Sequence, residues 1–260
     1  MSTRIRQELN LLMLSISFFS RLPVKKNLNY SPDKMHEAGK YVALVGWILA
    51  SLLSLLYMFY SAVFPSNVAV FLLVVSSVLM TGAFHEDGLA DTADGFWGGY
   101  TKERKLSIMK DSRLGTYGAS ALICALLGKF VLLSALAEHA FVIPALCIAY
   151  PLSRTIGISY VQDMAHVSTP HSESKSSPMA KPFRASHLSI LLLTALVACL
   201  LLPFTTMLIL LTICWVSRVL LKAWQNKHID GFTGDTLGAS IIINELLIYG
   251  VMLATLVGEG

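Results

Sequence analysis

The chain has 260 residues, of which 55% are hydrophobic and 14% charged, with a formal net charge of +4. A soluble domain carries about 25% charged residues, so this chain lacks the polar surface to cover itself in water, which excludes disorder, a soluble enzyme and a secreted disulfide scaffold. The modest positive charge gives no ground for nucleic acid as a partner; long apolar runs make the lipid bilayer the partner instead and predict an all-α, polytopic integral membrane bundle in a single domain over 1–260.

In chain order, 1–38 predicts an amphipathic segment. Leu9, Leu12, Met13, Ile16 and Phe19 recur at helical spacing, as in a helix lying at the interface or a shallow hairpin. Arg21, Lys25 and Lys26 follow without an A-x-A site, so this is not a cleavable signal peptide. Apolar stretches at 40–63 and 67–84 form a helical hairpin around Pro65-Ser66, and 117–137 and 141–161 form a second, turned at Glu138-His139-Ala140. The run 187–221 is too long for one span and contains Pro203, which predicts two helices meeting there; 237–257 completes about seven spans. Cys124, Cys147, Cys199 and Cys214 lie in apolar stretches without a CxxC pair and read as small hydrophobes.

Lys and Arg collect in cytoplasmic loops. With seven spans and the N-terminus inside, the outer segments near Pro65, His139 and Pro203 and the C-terminal Gly-Glu-Gly hold no Lys or Arg. Leaving 187–221 whole would put Lys222 and Lys227 outside, so seven spans fit better.

Polar chemistry gathers on the inner side, first in the 85–116 loop. Asp87, Asp91 and Asp94 are spaced i, i+4, i+7, so a helix would carry all three on one face. Three close carboxylates at a membrane boundary repel one another, and a hard divalent cation such as Mg²⁺ resolves the conflict. A solvated acidic helix end and a purely structural cation are the plainer readings. Gly88 and Gly95 allow a ligand or another helix to come close.

Next come cations suited to phosphate. Lys102, Arg104 and Lys105 read first as ordinary positive-inside charge, whereas Lys110, Asp111 and Arg113, bunched beside Gly115 and Gly118, read as functional. Arg154 and Lys129 interrupt apolar spans, where an ionisable group is a functional candidate by default; Lys129 equally suits snorkelling. In the connector 162–186, His166 and His171 lack a metal-ligand spacing, while Lys181 and Arg184 are candidate phosphate contacts. Asp235, among glycines before the last span, either completes the cation site or caps that helix; Asn244 and Glu245 lie two to three turns deeper.

His85-Glu86-Asp87-Gly88-Leu89-Ala90-Asp91-Thr92-Ala93-Asp94-Gly95, the stretch from Ile108 to Gly118, the stretch from Gly231 to Ala239, and Phe18-Phe19-Ser20-Arg21-Leu22-Pro23-Val24 together resemble the bacterial cobalamin (5′-phosphate) synthase family, the adenosylcobinamide-GDP ribazoletransferases. The match is collinear from end to end. The resemblance implies an inner-membrane, Mg²⁺-requiring transferase that joins adenosylcobinamide-GDP to α-ribazole or its 5′-phosphate and releases GMP. On that reading Asp87, Asp91 and Asp94 hold the cation with Glu86 and Asp235 as secondary ligands. Lys110, Arg113, Arg154, Lys181 and Arg184 contact phosphate, Asp111 orients one of the cations, and the base is His85 or one of the aspartates. Homo-oligomerisation stays open.

Two rivals remain. A CDP-alcohol phosphotransferase also has spaced aspartates, but Asp91 here follows Ala90 where that family has Arg, and the later Gly-x3-Asp-x3-Asp is absent. A cation or metabolite transporter would place its acids near the midplane between repeats; here they gather at one boundary.

Overall fold

The structure, a computed structural model, describes residues 3–167 and 180–258. Among them lie eleven α-helices: α1 Thr3–Phe19, α2 Pro32–Ala38, α3 Val42–Val63, α4 Ser66–Thr81, α5 Phe84–Gly98, α6 Lys102–Ile108, α7 Thr116–Glu138, α8 Val142–Ser159, α9 Ala185–Leu196, α10 Phe204–Ile229 and α11 Gly234–Gly258. No strand forms among the described residues beyond a lone bridge between His166 and Phe232. The all-α membrane bundle is therefore what the sequence builds.

All seven apolar segments become helices, but not all are full spans. Five helical stretches are long and apolar enough to cross a membrane, and six if α4 and α5 count together as one bent span. With 16 residues, α4 rises only about 24 Å at 1.5 Å per residue, short of the roughly 30 Å hydrocarbon core. The 187–221 run divides at Pro203 as its sequence requires: α9 passes into a 3-10 turn, Val197–Leu201, and α10 begins at Phe204.

The reason α4 stops early is a pair of left-handed residues. Gly82 at φ 65° and Ala83 at φ 56° turn the chain by 86° into α5. Glycine takes that conformation freely, but alanine is strained there. Arg21 covers the corner, its backbone N–H donating to the Met80 carbonyl at 2.7 Å. The 85–116 stretch, expected as a loop, thus opens with a 15-residue helix. Its apolar positions Ala90, Ala93 and Phe96 are buried, which supplies the packing that a short helix needs in order to persist.

α8 and α11 are the most enclosed of the spanning helices, while α7 and α10 mostly face outward. Close approach comes from small residues, as membrane packing favours: a Cβ at Gly46 of α3 would sit 2.8 Å from the Pro151 Cα in α8. α1 docks through Glu8, which pairs with Lys40 at 2.7 Å and accepts the Tyr41 hydroxyl at 2.8 Å. Cys199 and Cys214 are buried as expected, but Cys124 faces outward on α7.

At one end of the bundle polar contacts knit the connections together. Asp163 pairs with Arg218 and Lys222, each at 2.8 Å, and Lys102 reaches Asp230 at 3.3 Å. The Val167 and Phe232 backbones join 165–167 to the turn before α11, with both N–H···O distances at 2.9 Å. The loops expected to share one side of the membrane do meet, and α5 lies across that end.

Candidate functional site

α5 carries the acidic face. Asp87 is exposed, Asp91 half-buried and Asp94 buried. At 100° per residue the three fall within about 60° of one another, while Glu86 points about 100° to one side and His85 about 160° away. The two flanks pack on α7 and α11, which leaves the face of Asp87 and Asp91 between them.

Two of the three α5 glycines, Gly88 and Gly95, serve helix approach. A Cβ at Gly88 would lie 2.7 Å from the Asp235 carbonyl oxygen and 3.0 Å from its Cα. One at Gly95 would lie 3.0 Å from the Lys105 carbonyl oxygen in α6. Gly88 therefore brings Asp235 of α11 against the acidic face. Asp235 is not the cap of that helix: Thr233 takes the role, its hydroxyl accepting the Thr236 N–H at 3.2 Å while its own N–H donates to the Thr236 hydroxyl at 3.0 Å.

Asp94 does more than share the face. Its two oxygens accept the backbone N–H groups of Gly115 at 2.7 Å and Gly118 at 2.8 Å. It thereby caps α7 from another helix, satisfying orphan donors and placing negative charge at the positive end of the helix dipole. Side chains at 115 or 118 would collide with the Asp94 carboxylate, which explains both glycines.

Asp91 is where like charge accumulates. Burial, then the charges of Asp235, Asp87 and Asp94, push its carboxyl up to about 7, and Lys110 acts in the opposite direction. Lys110 is thus the expected phosphate-binding cation that lies in electrostatic reach of the acidic face. Arg113 is exposed and held by Asp111 through Nε and Nη2, the latter at 2.6 Å. That pairing draws the Asp111 carboxyl down to about 2.

Several candidates lie elsewhere. His85 is 2% exposed on the far side of α5, and burial pushes its imidazole well below the ordinary range, with the charges of Arg154 and Lys129 adding to the effect. Arg154 is 1% exposed inside the bundle, 3.9 Å from Glu245 and stacked over the Tyr150 ring. Glu86 is also buried and pairs with Lys129 at 3.7 Å. Lys181 and Arg184 flank Phe183, which stacks on His36 of α2 at 5.1 Å, so they belong to the corner between α2 and α9. His171 falls outside the described residues.

A buried charge cluster is the part that spacing alone does not reveal. Lys129 of α7 lies 3.0 Å from Glu245 of α11, which also meets Arg154 of α8. The sequence signal was three isolated charges in apolar runs; their convergence is tertiary.

The donor chemistry of the acidic face suits a hard cation. All candidate ligands are carboxylate oxygens, and the repulsion raising Asp91 is what a divalent ion would relieve. Among the described residues no three His, Cys, Asp or Glu side chains are close enough to enclose a metal on their own. The residues therefore fit an open site of the Mg²⁺ kind, in which one or two carboxylates bind together with substrate phosphates.

The sequence model for cobalamin-5-phosphate synthase matches residues 11–253. An adenosylcobinamide-GDP ribazoletransferase of Pseudoalteromonas atlantica is 49% identical over 256 residues, covering 98% of this chain and 95% of that protein. Proteins of the same name from Vibrio cholerae and Shewanella amazonensis are 44% and 45% identical, over 100% and 97% of this chain and 99% and 98% of their own lengths. No solved structure matches the chain.

Proposed function

The chain belongs to the cobalamin-5-phosphate synthase family and is a transferase, and from that premise we propose that it joins adenosylcobinamide-GDP to α-ribazole, or to its 5′-phosphate, in the presence of Mg²⁺. A ribose hydroxyl of the acceptor attacks the phosphorus bonded to the cobinamide side, the bond to the GMP oxygen breaks, and GMP leaves. The products are GMP and adenosylcobalamin or its 5′-phosphate. The observation that carries this reading is Asp91, crowded by Asp87 and Asp94 of its own helix and by Asp235 of α11.

Asp91, with Asp87 or Asp235 beside it, would supply the one or two carboxylates that hold the cation together with the substrate diphosphate, while both Asp94 oxygens are engaged on α7. A cation held there would supply neutralisation of the diphosphate charge and so make phosphorus a better target. Lys110 supplies positive charge where charge develops on the leaving phosphate, and Arg113 can turn from Asp111 towards phosphate. His85 points away from the acidic face, so the acceptor's proton falls to an aspartate. The positively charged connections support a reading in which this end of the bundle faces the cytoplasm from the inner membrane.

GMP release from adenosylcobinamide-GDP, measured with and without α-ribazole across a Mg²⁺ titration, tests the reaction. It should require both additions. Full Mg²⁺-dependent activity in Asp87→Asn, Asp91→Asn and Asp235→Asn alike would remove the cation assignment, and no release at all would remove the reaction.

A further inference from the structure

The buried charge cluster stands behind the acidic face. Lys129 Nζ lies 3.7 Å from Glu86 Oε1 and 3.0 Å from Glu245 Oε1; Arg154 Nη1 lies 3.9 Å from Glu245 Oε2; and the Tyr249 hydroxyl donates to Glu245 Oε1 at 3.2 Å. Lys129 is 3% exposed and Glu245 1%. Two carboxylates and two cations from α5, α7, α8 and α11 therefore form a neutral group sealed inside an apolar bundle.

Stability does not explain such a group. Well-packed hydrophobic residues in place of a buried ion pair are often neutral or stabilising, and ionisable residues within a membrane are costly wherever they occur. What the cluster fixes is direction. Glu86 precedes Asp87, so a tether on Glu86 grips α5 about 100° from the acidic face. Asp94 grips the same flank through Gly115 and Gly118 of α7, and Gly88 packs the opposite flank on Asp235. Among the described residues, Lys129 is the side chain of α7 that joins Glu86 of the acidic helix to Glu245 of α11 by charge. Without it Glu86 stays buried with Oε2 already lacking a hydrogen-bond partner, and among the described residues no other ion pair of the cluster includes an α5 side chain.

We propose that Lys129 is a positioning residue of the active site: by pairing with Glu86 and Glu245 it fixes the roll of α5, and so the direction in which Asp87 and Asp91 point. This rests on the reading of Asp87 and Asp91 as the cation face. Misplacing a reacting group by about 1 Å costs on the order of 100-fold in rate, which sets the size of the effect.

The test uses the full chain in lipid nanodiscs, with Lys129→Met, Lys129→Arg and the neutral pair Glu86→Gln/Lys129→Met. Two measurements are made: the Mg²⁺ concentration for half-maximal rate, and the labelling rate of an Asp91→Cys reporter, in a Cys124→Ser background, by a charged thiol reagent. Lys129→Met should raise half-saturating Mg²⁺ at least tenfold, lower the rate about 100-fold and change the reporter's labelling several-fold. Lys129→Arg should recover most of each. The neutral pair, which strands no charge on α5, should melt close to wild type yet keep the shifted Mg²⁺ requirement and labelling. A neutral pair with wild-type labelling and Mg²⁺ dependence overturns the proposal, whether or not Lys129→Met folds. If instead Asp87→Asn and Asp91→Asn retain Mg²⁺-dependent activity, the cation reading falls while the labelling result still decides the role of Lys129.

Discussion

Gly88 of α5 rests directly on the backbone of Asp235 at the start of α11, with room for no side chain between them. This contact brings a carboxylate 144 to 148 residues along the chain from Asp87 and Asp91 against their face. It is the hinge of the site, because neither helix supplies the crowded group alone.

Gly88→Ala should therefore separate α5 from α11. Overpacking of this kind costs about 1–3 kcal/mol, so a lowered melting temperature in detergent is expected. Activity should fall further than stability, since Asp235 moves away from Asp91. Preserved activity at a temperature where the variant is fully folded would show that Asp235 is not part of the working site.

The three aspartates of one face should behave differently. Asp94 caps α7 and is buried, so Asp94→Ala should cost about 0.5–2 kcal/mol as other cap losses do, visible as a lower melting temperature. Asp87 is exposed, and Asp87→Asn should leave melting unchanged while abolishing most Mg²⁺-dependent turnover. Parallel melts and initial rates check both. Equal melting losses at the two positions would contradict the division of roles.

Asp91 makes the site sensitive to pH. Its carboxyl is raised from 3.8 to about 7, so the folded protein binds this proton more tightly than the unfolded chain does. The contribution to stability is full below about 3.8 and is lost as pH rises through about 7 when no cation is present. A cation must displace the same proton, so half-saturating Mg²⁺ should rise steeply as pH falls below about 7, up to tenfold per unit. Asp91→Asn should flatten that dependence. Titrating Mg²⁺ at several pH values settles it.

The face of three aspartates, the break at Pro203 and the gathering of basic loops were legible because each is a local pattern: a helical period, a proline, a charge bias. The 86° turn into α5 was not, because it depends on Ala83 holding a left-handed conformation that nothing in its residue type announces. The direction of Glu86 was within reach, since adjacent helix positions differ by 100° and Glu86 therefore does not share a face with Asp87. The pairing of Lys129 with Glu245 was out of reach: they are 116 residues apart, and in sequence each is a lone charge whose partner only packing supplies. Arg154 misled for the same reason, as a lone cation in an apolar run looks alike whether it meets phosphate or a buried carboxylate.

Lys110 offers the most direct check on where the diphosphate sits. It is exposed, yet its charge acts on both Asp91 and Asp235, whereas Arg113 is already engaged by Asp111. Lys110→Met should then do two things at once. Losing a charge-assisted phosphate contact should raise KM for adenosylcobinamide-GDP about tenfold, the equivalent of about 1.4 kcal/mol. Losing a positive charge that opposes the crowding at Asp91 should also move the pH midpoint of activity to higher pH, because the proton on Asp91 is held more tightly. Asp111→Asn separates the two cations, since it frees Arg113 without touching the charges around Asp91; it should change KM and leave the pH midpoint in place. Rates measured from pH 5.5 to 8.5 at low and saturating nucleotide distinguish these outcomes, and a Lys110→Met profile superimposable on wild type would place the phosphates away from this side of α5.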